Sequence, residues 1–180
     1  MAEGSKELGL IHIYCGDGKG KTTASMGLAL RAAGREKKVL IARFLKSQDS
    51  GEVKALSYVP NITVLPCEKF FGFTFSMSEE TKKEAQVYYT ALLENAWKKA
   101  KKEKYHMLIL DEMMAACTSG LVSRDKVEEL IKQKPEYLEV VLTGRAPWPE
   151  ILQLADYVSE IQMVKHPFTR GVKARNGIEY

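Results

Sequence analysis

Cys15-Gly16-Asp17-Gly18-Lys19-Gly20-Lys21-Thr22-Thr23 decides how this chain is read. The apolar run Leu10-Ile11-His12-Ile13-Tyr14 leads into it, and an alanine-rich stretch from Ala24 to Ala33 follows. That is a strand, a glycine-rich turn and a helix N-terminus, the context in which Gly-Lys-Thr reads as a phosphate-binding loop. Glycines let backbone N–H groups turn inward around an anion, and the helix start adds unpaired N–H groups and a positive dipole end. Lys21 then neutralises phosphate oxygens, and the Thr22 hydroxyl is placed to hold Mg²⁺. The spacing departs from the standard loop at one point. Cys15 stands where the first glycine is expected, and the glycine comes one residue later, at Gly16.

Beyond the loop, apolar runs alternate with helical patterns, the signature of a parallel sheet covered on both faces. Strands are predicted at 38–44, 62–65, 107–110 and 139–143, with a last one over 157–164, at the sheet edge. Ser76 and Glu79 form a capping box for a long helix reaching about Glu103, with Ala85, Tyr88, Leu92, Ala96 and Ala100 as its buried stripe. Ser123 caps a second helix, and a short one begins near Pro149. The predicted fold is α/β, a mostly parallel central sheet with helices on both faces, of the RecA-like phosphate-loop kind. Residues 10–165 make the domain, 1–9 a short extension, and 166–180 a tail.

The 180 residues suit one domain with a substantial core. A net charge of +4 is too mild to argue for a nucleic-acid partner, and Lys98, Lys99, Lys101, Lys102 and Lys104 read as a solvated helix end. No apolar run is long enough to span a membrane and no signal peptide is visible, so a cytoplasmic location is expected. Cys15, Cys67 and Cys117 have no metal-ligand spacing and read as reduced thiols.

Ligands of open parallel sheets bind beyond the carboxyl ends of the strands. Leu108-Ile109-Leu110-Asp111-Glu112 ends there in two acids, one to hold Mg²⁺ directly or through water, the other to order the loops. Thr143-Gly144-Arg145 ends there too; its arginine meets a phosphate or carboxylate, or simply closes a turn. Phe70-Phe71-Gly72-Phe73-Thr74-Phe75 suits either a core wedge or a large flat apolar ligand. Arg31 lies about 15 Å up the helix from Lys21, a long reach to a phosphate within one subunit. His12 and His106 read as packed residues, and no nucleophile with its base is apparent.

With these pieces in order, and with Val164-Lys165-His166-Pro167-Phe168, Gly171-Val172-Lys173-Ala174 and Gly177-Ile178 behind them, the chain resembles the phosphate-loop ATP:corrinoid (cob(I)alamin) adenosyltransferases from about Leu10 to Tyr180. The resemblance implies that cobalt(I) of a reduced corrinoid attacks the ribose C5′ of ATP and that triphosphate leaves. It implies a nucleotide reversed in its loop, in keeping with the shifted Gly16. It assigns the substrates to Gly16, Asp17, Gly18, Lys19, Gly20, Lys21, Thr22, Thr23, Arg31, Arg145 and His166. Asp17 would lie near the ribose and Arg31 on the triphosphate, with Mg²⁺ on Thr22, Asp111 and Glu112. Phe73 and Phe75 match an aromatic pair that closes on the lower corrin face and helps displace the axial ligand; the second position is commonly Trp, and here it is Phe75. Some relatives cover the corrinoid with a longer N-terminal helix, and the nine residues before Leu10 are not expected to do so. The resemblance further implies a homodimer and a separate reductase supplying cobalt(I). The readings from other classes are a nucleic-acid-stimulated RecA-like ATPase and a small-molecule kinase.

Overall fold

A computed structural model describes residues 8–46, 50–72 and 74–179. Six strands form one sheet: β1 (Ile11–Cys15), β2 (Val39–Arg43), β3 (Ile62–Val64), β4 (Met107–Asp111), β5 (Glu139–Thr143) and β6 (Tyr157–Glu160), in the order β3-β2-β4-β5-β1-β6. Every neighbouring pair is parallel. The helices are α1 (Lys21–Ala33), α2 (Gly51–Leu56), α3 (Glu79–Lys102), α4 (Met113–Thr118), α5 (Arg124–Lys132) and α6 (Pro149–Leu154).

Alternation along the strands divides the core in two. Leu40, Ala42, Leu108, Leu110, Val140 and Leu142 face one layer, packed with Ala85, Tyr89, Leu93, Ala96 and Trp97 of α3 and with side chains of α4 to α6. Val39, Ile41, Met107, Ile109 and Val141 face the other, packed with Met26 and Ala29 of α1 and Leu56 of α2. Strands buried on both faces favour apolar residues, so β2, β4 and β5 read as apolar runs with polar residues only at their ends. β6 lies at the sheet edge with all four residues exposed.

Three local expectations are corrected. The cap of α3 is Ser78, whose hydroxyl oxygen accepts the Thr81 N–H at 3.1 Å, because Thr74–Ser76 is taken up in a 3-10 turn. Tyr89, not Tyr88, is the fully buried tyrosine of that helix. The last strand stops at Glu160, because Ile161 bends against the loop after β1 and accepts the Gly18 N–H at 2.8 Å. Among the described residues no helix is long and apolar enough to cross a membrane.

At the sheet end away from the loops, Glu139 anchors the start of β1. One carboxylate oxygen accepts the N–H groups of Gly9 and Leu10 at 2.6 and 2.8 Å, and the other meets His12 Nε2 at 2.5 Å. His12 also stacks on Tyr157, so it is a packed residue, as expected. Burial pushes the Glu139 carboxyl up, but the bonds from His12, Leu10 and Gly9 outweigh it and hold the pKa below the ordinary 4.5. A lowered carboxylate pKa adds stability above the unfolded value, and that stability is lost as pH falls through the folded value. Glu139→Gln removes the charge, and its NH₂ must face either the Gly9 and Leu10 donors or His12 Nε2, which must then act as an acceptor. The substitution is expected to lower stability at pH 7 by about 1–3 kcal/mol, and wild type should lose this advantage below about pH 4.5. Urea melts at pH 7 and pH 3.5 test this; equal deficits at both would remove the ionic part of the anchor.

Candidate functional site

The carboxyl ends of β1, β2, β4 and β5 bring the chemistry-bearing residues to one edge. After β1, residues 16–20 form the loop and α1 begins at Lys21. The first helical bond runs from the Ala24 N–H to the Gly20 carbonyl, so the N–H groups of Lys21, Thr22 and Thr23 have no acceptor within the helix. These are the free donors and the positive dipole end of an anion site.

Gly16 and Gly18 serve differently from the sequence expectation. Their N–H groups are already bonded, Gly16 to the Arg145 carbonyl at 3.0 Å and Gly18 to the Ile161 carbonyl at 2.8 Å. Glycine is needed here for close approach: a Cβ at Gly16 (φ 99°) would lie 2.4 Å from the Ile161 oxygen, and one at Gly18 2.7 Å from it. The variant loop is thus sewn to the ends of β5 and β6, and its anion donors lie further along, at the helix start.

A cleft of about 350 Å³ opens over this loop. Asp17, Lys19, Lys21, Thr22 and Thr23 line it from the loop and α1, and Glu112 and Arg145 from the ends of β4 and β5. His166 joins from the tail, as do Ile178 and Glu179. Lys21 Nζ donates to the Gly18 carbonyl at 2.8 Å. Burial lowers the Lys21 pKa, helped by Arg145 and opposed by Glu112, Asp17 and Cys15, for a net shift below the ordinary 10.5. Asp17 accepts the Met163 N–H at 3.0 Å, which ties the segment after β6 to the loop. The tail is held by Glu179, which pairs with Lys19 at 3.2 Å and with Arg175 at 2.9 Å. The Arg175 guanidinium, with its backbone N–H, holds the Glu179 carboxyl down at about 2.

Asp111 lies at the floor of the edge and is completely buried. Its Oδ1 accepts the hydroxyls of Thr22 at 2.9 Å and Thr143 at 2.7 Å, and its Oδ2 accepts Lys46 Nζ at 2.7 Å. The Thr143 hydroxyl also accepts the Glu112 N–H at 2.9 Å. Glu112 sits at φ 63° and Leu45 at φ 58°, both in the left-handed region that bulky residues avoid. These strained turns follow neighbouring strands, where strain collects at functional edges. Gly144 (φ 151°) lets the end of β5 close on α4, since a Cβ there would meet that of Met114 at 2.4 Å. Arg43, the Cα partner of Asp111 across the ladder, is 5% exposed, and among the described residues its buried Nη2 has no hydrogen-bond partner.

The sequence reading missed Lys46, Thr143 as a hydroxyl donor, and Glu179. Lys46 follows a strand end on the ligand edge, and that position was the available signal. Arg31 is not brought to the cleft; it is exposed on α1, as its distance along the helix implies. Within the aromatic segment, Phe71 is the wedge, with its ring 5.7 and 5.8 Å from those of Tyr88 and Tyr89, while Phe70 is exposed. Phe73 and the Phe75 side chain lie outside the described residues. The three cysteines are free and buried, and burial raises each thiol's pKa, that of Cys117 to about 12.

Among the described residues no three His, Cys, Asp or Glu side chains converge on a metal position. A metal arriving with a nucleotide needs less, because Mg²⁺ takes one or two protein oxygens and completes its shell with phosphate and water. The Thr22 hydroxyl and Asp111 carboxylate are hard oxygen donors 2.9 Å apart beside the cleft, and they fit that requirement.

Comparison with known proteins adds three findings. A family model described as ATP:corrinoid adenosyltransferase BtuR/CobO/CobP matches residues 7–180. The corrinoid adenosyltransferase of Escherichia coli (strain K12) is 34% identical over 186 residues, covering 100% of this chain and 90% of that protein. The corrinoid adenosyltransferase CobA of Salmonella typhimurium matches at the same identity and coverage. Among solved structures, the KaiC-like protein PH0186 of Pyrococcus horikoshii OT3 superposes with a TM-score of 0.50 at 12% identity, over 87% of this chain and 73% of that one. That likeness bears on the fold alone, a phosphate-loop α/β sheet of the RecA-like kind.

Proposed function

The chain belongs to the ATP:corrinoid adenosyltransferase family BtuR/CobO/CobP, and from that premise we propose how its residues divide the work of transferring the 5′-deoxyadenosyl group of ATP to a corrinoid. The observation that carries the reading is the cleft itself, where Lys19, Lys21, Arg145 and His166 surround a helix N-terminus with the Thr22–Asp111 pair at its floor. Such a lining suits a polyanion that must be held and then stabilised as it leaves.

Cobalt(I) of the reduced corrinoid is the nucleophile. Its electron pair forms the cobalt–carbon bond to C5′ of the ribose, the C5′–O bond breaks, and that bond's pair leaves with the triphosphate. No protein nucleophile is required, since the corrinoid carries the difficult chemistry. Lys21, the N–H groups of Lys21 to Thr23, and Arg145 stabilise charge that grows on the leaving oxygens. Asp17, which lines the cleft, would lie near the ribose, as the family resemblance implies. Thr22 and Asp111 would hold Mg²⁺, with Glu112 beside them. When bound, the ion neutralises charge on the triphosphate.

Phe73 and Phe75 are assigned to the lower corrin face by the family resemblance. Phe73→Ala is expected to reduce turnover with cobalt(II) corrinoid and a weak reductant at least about tenfold more than turnover with preformed cobalt(I). Parallel assays on both substrates test this, and equal losses would leave Phe73 a packing residue.

A homodimer accords with the exposed apolar residues Tyr157 and Val158 on the open edge strand, since such edges are normally covered. Three free thiols suit a reducing cytoplasm, and a reductase there would supply cobalt(I). The decisive experiment is anaerobic incubation with Mg²⁺-ATP and chemically reduced cobalamin, following the corrinoid spectrum and the phosphate product together. Light-sensitive adenosylcobalamin with stoichiometric triphosphate is the expected result. ADP or free phosphate without a corrin product would overturn the reading in favour of a kinase or an ATPase.

A further inference from the structure

Lys46 occupies the position that the preceding reading gives to a metal. Its Nζ lies 2.7 Å from Thr22 Oγ1 and 2.7 Å from Asp111 Oδ2. Thr22 donates its proton to Asp111 Oδ1, as Thr143 does. That leaves a Thr22 lone pair and the second carboxylate oxygen facing a shared cation, and the ammonium takes both. Asp111 is fully buried, and a buried carboxylate without a counter-charge is strongly disfavoured.

The chain is arranged to deliver this ammonium. Phe44 is completely buried and fixes the exit of β2. Leu45 then turns through the left-handed region, and Lys46 lines the cleft with its side chain 27% exposed. The stem therefore borders open space, and the cleft it borders is the one that receives the triphosphate.

We propose that Lys46 is an internal counter-cation that closes the Thr22–Asp111 site to a bare divalent ion and releases it only to metal arriving with the nucleotide. The reason is local charge balance. A divalent ion entering alone must eject the ammonium from a carboxylate with no new anion to receive it. A triphosphate supplies that anion, so the displaced Lys46 exchanges the Asp111 oxygen for a phosphate oxygen. Metal and nucleotide binding are thereby coupled through one side chain, and Lys46 acts as a positioning residue with respect to the metal.

The inference rests on the assignment of Mg²⁺ to Thr22 and Asp111, and Mn²⁺ as the probe separates the two claims without measuring turnover. Electron paramagnetic resonance of free Mn²⁺ is recorded against the full-length chain, with and without ATP. Wild type should leave Mn²⁺ largely free when alone, and with ATP it should alter the spectrum from that of protein-free Mn²⁺-ATP, since the nucleotide itself chelates the ion. Lys46→Met, which keeps the stem and removes the charge, should tighten binding of Mn²⁺ alone by about 5- to 150-fold, the usual span of a coupling between ligands. Lys46→Arg, which keeps a cation, should behave as wild type. Equal binding of Mn²⁺ alone by wild type and Lys46→Met would overturn the proposal. So would wild type holding Mn²⁺ as tightly without ATP as with it, a comparison that stands even if the Met variant does not fold. A Mn²⁺-ATP spectrum left unchanged by the protein would remove the metal assignment itself, and the proposal with it.

Discussion

Lys21→Ala is expected to lower kcat/KM for Mg²⁺-ATP by about 10²- to 10³-fold while leaving the fold intact, the loss typical of removing one preorganised group that meets charge developing in a transition state. In free energy that is about 3–4 kcal/mol. The argument begins with what Lys21 does before substrate arrives. Its ammonium donates to the Gly18 carbonyl at 2.8 Å, a single bond to a backbone oxygen. Burial already disfavours its charged form, with only part of the effect returned by Glu112 and Asp17. A partly desolvated cation gains more from an arriving anion than a hydrated one does, and the triphosphate gains negative charge as the C5′–O bond breaks. The structural loss on truncation is small, because alanine at the first position of α1 is a good helix former and Gly18 remains held by Ile161. Steady-state kinetics with preformed cobalt(I) and a thermal melt of the same sample test both halves. Turnover within a few-fold of wild type would remove Lys21 from the leaving-group site, whatever the melt shows.

The same cleft shows where a linear sequence is legible. β2, β4 and β5 are buried on both faces, so their apolar runs announce them, and the acids and the arginine at their carboxyl ends follow from sheet topology. α2 and α4 have six residues each, too few for a helical period to declare itself. Ser76 and Ser78 both precede plausible helix starts, and only the 3-10 turn over Thr74–Ser76 decides between them. Gly16 and Gly18 were recognisable as glycines that a phosphate loop requires. That they exist to admit the Ile161 carbonyl is a contact across 145 and 143 residues (161 − 16 and 161 − 18), which no local pattern encodes. Glu179 reaches Lys19 over a similar span. Thr143 is legible as part of its strand end, but whether its hydroxyl faces Asp111 depends on strand register, and Lys46 depends on the left-handed turn at Leu45. Motifs that act through the backbone and through strand ends were readable; side chains delivered by a turn or a tail were not.

Asp111→Asn should be the variant that damages both folding and turnover. Every polar neighbour of this carboxylate is a donor: Thr22 and Thr143 on one oxygen, Lys46 on the other. An amide there must point its NH₂ at one side or the other. Toward Lys46 it meets an ammonium that cannot accept. Toward the threonines it leaves both hydroxyl protons without the Oδ1 that accepted them, whatever lone pair the NH₂ then finds. At least one buried donor is left unsatisfied in either orientation, and Lys46 loses its counter-charge. Because Lys46 is 27% exposed it can turn to water, which keeps the expected destabilisation near about 1–3 kcal/mol, below the figure for a fully buried broken pair. For a chain of this size that corresponds to a melting temperature lower by about 2–12 °C. The catalytic loss adds to it, because the neutral amide is a poorer partner for a divalent ion than the carboxylate. A fall in kcat of about 10²-fold or more is expected, with weaker Mn²⁺ binding in the presence of ATP. This pairing of effects separates Asp111 from Lys21, whose removal should spare the melt and leave Mn²⁺–ATP on the Thr22–Asp111 oxygens. A lower melting temperature with kcat unchanged would make Asp111 a structural tie between α1, β4 and β5 and leave the metal to Glu112.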